Sequence, residues 1–126
     1  MKLAIVGSRS LSINLEKFII KYPKMIITGD AYGIDKSARD FAIKENIDLK
    51  IFKPDYLKFG KSAPIIRNIS IVDECDSLIA FWDGKSRGTM HAVRVANKKN
   101  KKIKVFVVKN KFISLYFESS NQMVLI

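Results

Sequence analysis

The 126-residue chain is poor in the residues that build covalent or metal frameworks: it has one cysteine, one histidine and three prolines. A single cysteine, Cys75, excludes an internal disulfide, and one histidine leaves no clustered zinc ligands, so neither a metal nor another cofactor is expected. No repeat, low-complexity tract or linker divides the chain, which reads as one domain over residues 1–126. Apolar runs are short and broken by charges or glycines, far from the about 20 residues of a membrane span, so no membrane partner is expected. The N-terminus lacks the basic region and cleavage site of a signal peptide, and the expected location is the cytoplasm. Acidic side chains are scarce, 12 against 23 lysines and arginines, for a formal net charge of +11. Such a field draws polyanions in a salt-sensitive way without naming one. Much of it sits in "KKNKKIK", Lys98 to Lys104, at the end of a predicted helix, where cations complement the exposed carbonyl dipoles. No aromatic residue interleaves those lysines as a base-stacking platform requires, although Tyr56, Phe59 and Lys61 form a second candidate patch, so nucleic acid is the less favoured partner.

What is present is an alternation of apolar strands and amphipathic helices, with 48% hydrophobic residues to fill one core. "KLAIVGS" is a run of branched residues ending in glycine, a buried strand. "LSINLEKFIIKY" places Leu15, Phe18 and Ile19 at helical spacing and predicts a helix closed by Pro23. "KMIITGD" is a second buried strand, and "IDKSARDFAIKEN" a helix with Ile34, Ala38, Phe41 and Ala42 on one side. "LKIFKP" is a third strand, "IIRNISIVDEC" a helix, "SLIAFWD" a fourth strand, "TMHAVRVANKKN" a helix and "KIKVFVV" a fifth strand. This pattern predicts an α/β fold: an open, mostly parallel five-stranded sheet with helices on both faces.

Ligands of such sheets lie outside the carboxyl ends of the strands, where the strand order reverses. Function is therefore expected on the loops "GSRS", "TGDAYGID" and "WDGKSRGT", all rich in glycine and small hydroxyls. In the order 3-2-1-4-5 the first and fourth loops flank the crevice and the second lies beside them. Glycines let backbone N–H groups approach an anion, and a helix N-terminus adds unpaired donors and positive dipole. Gly7, Ser8, Gly88 and Thr89 fit that role; taken singly, Thr89 reads better as an N-cap and Gly88 as a turn residue, and it is the three loops together that point to an anion. The G-x-G-x-x-G fingerprint and the P-loop are both missing.

Together "GSRS", "TGDAYGID", "YLKFGKSAPIIRN" and "DSLIAFWDGKSRGT" resemble, in order, the motifs of the SLOG superfamily of Rossmann-like nucleotide-ligand domains, in particular its YspA-like branch. The resemblance runs from about Leu3 to Val108. It implies a pocket for a nucleotide or a nucleotide-derived small molecule related to ADP-ribose or NAD. By position it implies ligand-binding roles for Gly7, Ser8, Arg9, Gly29, Gly33, Asp35, Arg67, Asn68, Asp83, Ser86, Gly88 and Thr89. Phosphoribohydrolases similar to the cytokinin-activating enzymes are more distant members, as is DNA-processing protein A. In those hydrolases the Gly-Thr loop is followed by glutamates; here His91 and Ala92 stand there, and neither can stabilise an oxocarbenium-like ribosyl centre. A sensing or sequestering module is thus expected rather than an enzyme, with hydrolysis as the alternative if Asp30, Asp35 or Asp83 supplies a carboxylate.

Asp30 stands where the nearest relatives show a second glycine. Pointing inward it would suit a ribose hydroxyl rather than a phosphate; pointing outward it is a turn residue. Arg67 is either a phosphate clamp or a surface arginine, and Trp82 is read as core or pocket wall. The segment "KFISLYFESSNQMVLI" lies beyond the resemblance. Ile113, Leu115 and Phe117 alternate with Phe112, Ser114 and Tyr116, which predicts a strand with one strongly buried side, either an extra sheet edge or a contact within a homo-oligomer.

Overall fold

The computed structural model describes residues 1–119. Strands β1 (Lys2–Gly7), β2 (Met25–Gly29), β3 (Asp48–Phe52), β4 (Ser77–Trp82), β5 (Lys102–Lys109) and β6 (Phe112–Ser119) form one sheet in the order β3-β2-β1-β4-β5-β6. The first five are parallel and β6 pairs antiparallel with β5. The strand order reverses between β1 and β4, so the loops after them straddle the crevice, as the β/α alternation predicts.

Helices α1 (Ile34–Lys44), α2 (Tyr56–Phe59), α3 (Ala63–Glu74) and α4 (Arg87–Lys98) lie in the connections after β2, β3 and β4. Ile34, Ala38, Phe41 and Ala42 of α1 are buried against Leu3, Ile5 and Ile26 on one face of the sheet. On the other face, Ile71 and Val72 of α3 and Ala92, Val93 and Ala96 of α4 pack with Ala4, Val6, Ile27, Leu78 and Ala80. Phe81, fully buried, stands edge-on to Phe18 with centroids 5.1 Å apart and stacks on Phe106 at 5.4 Å. Truncating it would cost about 3–5 kcal/mol, the range for a large core aromatic. Cys75 is a buried free thiol, pushed up to about 11 chiefly by burial. Among the described residues no helix is long and apolar enough to cross a membrane.

Two sequence expectations need correction. The segment predicted as the first helix contains only one 3-10 turn, Leu15–Lys17. Leu15 and Ile19 are buried as their spacing predicts, but the backbone donors go elsewhere: Leu11 N–H bonds the Ser8 carbonyl and Ile13 N–H bonds Ser37 Oγ. Asn14 Oδ1 takes the Glu16 amide. Ser10, Ser12 and Asn14 favour such local bonds over a helical ladder. The second correction concerns β6. It is a strand at the sheet edge, yet neither side is strongly buried: Phe112, Ile113, Leu115, Tyr116 and Phe117 are all exposed. A shift in pairing between Val105 and Phe106 interrupts the simple alternation of β6. The remaining residues of that segment, 120–126, lie outside those described.

Candidate functional site

The loops after β1 and β4 are tied together before any ligand is considered. Ser8 is buried and its hydroxyl accepts the Asp83 amide at 3.0 Å, while Ser10 Oγ donates to Asp83 Oδ2 at 3.0 Å. The other carboxylate oxygen of Asp83 accepts the Lys85 and Ser86 amides, both at 2.8 Å, folding the chain into the start of α4. Burial alone would raise the Asp83 carboxyl, but these amides and hydroxyls outweigh it and hold the group below its usual range. Ser86 then caps α4, its hydroxyl accepting the Thr89 amide at 3.4 Å. The amides of Arg87 and Gly88 precede any carbonyl of their own helix that could accept them.

On the neighbouring side, Gly33 adopts φ 73° with no room for a side chain: a Cβ there would lie 2.5 Å from the carbonyl oxygens of both Ser8 and Arg9. This contact seats the N-terminus of α1 directly beneath the β1 loop. It also buries Asp35, whose carboxylate accepts the Ala31 amide at 3.2 Å. Burial raises the Asp35 carboxyl, only partly offset by the Ala31 amide, Arg67, the Thr28 hydroxyl and Arg39. Gly29 leaves the space that Asp35 and Arg67 occupy, since a Cβ on it would lie 2.5 Å from Asp35 Oδ2 and 2.7 Å from Arg67 Nη1.

Arg67 reaches this place from α3. Its side chain is 11% exposed, and its Nε donates to Asn68 Oδ1 at 3.0 Å. Asn68 in turn donates to the Gly88 carbonyl at 3.3 Å and approaches His91 Nδ1 at 3.4 Å. Nη1 of Arg67 stands 3.5 Å from Asp30 Oδ1 without the alignment of a hydrogen bond. It is the buried side-chain nitrogen among the described residues that has no hydrogen-bond partner.

These residues enclose a cavity of about 430 Å³ at the carboxyl edge of the sheet. Of the residues singled out from sequence, Gly7, Arg9, Asp35, Arg67, Asn68, Asp83, Ser86, Gly88 and Thr89 line it. Four others do not. Ser8 and Gly33 support the loops, Gly29 lies behind Asp35 and Arg67, and Asp30 faces solvent. Val6, Ser10, Ala31, Pro64 and Ala92 complete the wall. Ser10, Ala31 and Pro64 lie inside the quoted motifs and Ala92 stands at the position of the hydrolases' glutamates, whereas Val6 carries only the sequence signal of a buried strand. Trp82 packs beside the wall, its indole N–H donating to the Ser86 carbonyl at 3.0 Å. Among the described residues no group of three or more His, Cys, Asp or Glu side chains is placed to hold a metal ion.

No protein-family model, curated protein or solved structure matches the chain. The arrangement itself offers one buried cation, a helix N-terminus with free amides, and two carboxylates of opposite tendency. That combination suits a ligand carrying both an anionic group and hydroxyls.

Proposed function

We propose that the protein binds a nucleotide or a nucleotide-derived small molecule in this cavity, as a sensing or sequestering module that returns its ligand intact. The observation that carries this reading is the meeting of Arg67, whose Nη1 is buried without a hydrogen-bond partner, with the start of α4 on the wall of one cavity of about 430 Å³. A buried guanidinium nitrogen left without a hydrogen bond is costly, and an anion at this place relieves it. The cavity has the size of a small-molecule site. Gly88 adds support: nothing lies within 4 Å of where its Cβ would be, so internal packing does not require a glycine there. Close approach of a ligand to the backbone does. The resemblance to SLOG domains points the same way.

Hydrolysis is the second reading, favoured by two carboxylates on one cavity wall whose environments move them apart, Asp35 upward and Asp83 downward. Against it, the Asp83 carboxylate is already engaged by Ser10, Lys85 and Ser86. A thermal-shift screen against nucleosides, nucleotides, NAD and ADP-ribose tests the binding reading, since a ligand specific to the folded state raises the melting point. Incubating the protein with the strongest binder and analysing the mixture by chromatography separates the two. Recovery of intact ligand is expected. Release of free base or ribose phosphate, lost on Asp35→Asn, would replace binding with catalysis.

A further inference from the structure

Building on the reading above, we infer that the cavity selects a nucleotide whose phosphate is a singly charged diester, and that Asp30 enforces the choice. The observation behind it is a contrast of charge. The chain carries a net charge of +11, yet only Arg9 and Arg67 line the cavity as cations, matched by Asp35 and Asp83. Arg39 of α1 does not line the cavity; its guanidinium bonds the carbonyls of Gly29 and Ala31, and its charge acts on Asp35. Lys85 and Arg87, at the start of α4, remain exposed and do not line the cavity.

The wall is therefore neutral in sum, and Asp30 at 3.5 Å from Arg67 Nη1 adds a further negative charge just outside it. An anion that binds against Arg67 must share its guanidinium with Asp30. A single negative charge gains a charge-assisted hydrogen bond and leaves the pair nearly balanced. A second charge on the same phosphate meets Asp30 and Asp35, with Arg9 the one lining cation that Asp30 does not share. The exposed position of Asp30 explains how it acts: it neither lines the cavity nor occupies the ligand's space, but fixes how much positive charge Arg67 presents.

The test uses probes of nearly equal shape. For each of the four common nucleosides, the affinity of the intact chain for the 5′-phosphate is compared with that of its methyl diester, alongside the 5′-triphosphate, by calorimetry at physiological salt. The diester of the preferred nucleoside is expected to bind about fivefold to tenfold more tightly than the monoester, as one extra like charge at this range implies. The triphosphate should be weaker still. In Asp30→Asn the monoester should gain and the gap should close, while the diester changes little; a merely structural role for Asp30 would weaken both. Tighter binding of the monoester or triphosphate by the wild type, or a gap unchanged in Asp30→Asn, overturns the inference while leaving nucleotide binding intact. If no probe of any base or charge binds, the functional reading fails and the inference falls with it. Melting curves of Asp30→Asn confirm that the variant is folded.

Discussion

Gly88→Ala distinguishes a glycine kept for the fold from one kept for a ligand. At Gly7 an added Cβ would lie 2.5 Å from the Phe81 carbonyl oxygen and 2.6 Å from Ile34 Cβ, so the β1 strand end must shift and alanine must destabilise. At Gly88 the same atom meets nothing within 4 Å, and the residue is not among the glycines with positive φ. Alanine in place of glycine within a helix stabilises by about 0.5–1 kcal/mol. Gly88 is the second residue of α4, where the lower figure applies, and about 0.5 kcal/mol corresponds to roughly 2 °C in melting point for a chain of this size. The new methyl would stand beside the cavity that Gly88 lines, in the place an anion needs to reach the first-turn amides. Losing one charge-assisted bond removes about 1.5–3 kcal/mol, or about tenfold to hundredfold in affinity. Differential scanning fluorimetry and calorimetry on the same preparations, with the best nucleotide from the screen, read both effects. A variant that melts lower than wild type would mean that the fold needs the glycine. One that binds as well as wild type would mean that no ligand approaches this backbone.

Asp35→Asn should also raise the melting point at neutral pH. The folded carboxyl lies above its ordinary value of 3.8 because burial disfavours the charge, so the ionised group opposes folding. That cost grows as pH rises from the ordinary value to the raised one and is constant above it. The advantage of asparagine is therefore expected at pH 7 and should vanish in acid below both values; an asparagine variant that melts lower at pH 7 refutes the assignment. The open edge at β6 predicts self-association, because its exposed apolar residues carry no lysine or proline to block pairing with a second copy. Light scattering after gel filtration should give a dimer for the wild type and a monomer for Ile113→Lys combined with Leu115→Lys; a monomeric wild type at high concentration would end that expectation.

Hydrophobic periodicity determined the five parallel strands, three of the helices between them and the carboxyl-edge loops, because continuous apolar strands between amphipathic helices are covered on both faces of one sheet. It also marked Leu15 and Ile19 as core. It could not show that their segment forgoes a helix, since that depends on Ser37 Oγ of α1 taking the Ile13 amide from across the fold. The glycine-rich loops were legible as a group, but the division of labour within them was not. Ser8 and Gly33 look like anion-binding residues in sequence, whereas packing makes one an anchor for the Asp83 amide and the other a close contact under the β1 loop. The alternation in β6 suggested a buried side, which only the presence of a covering element can provide. Arg67 is the clearest case: its sequence allows a surface cation or a clamp with equal ease. Its burial, its missing hydrogen bond and its nearness to Asp30 follow from α3 crossing the end of β2. Such a relation between residues distant in sequence exists only once the sheet has assembled.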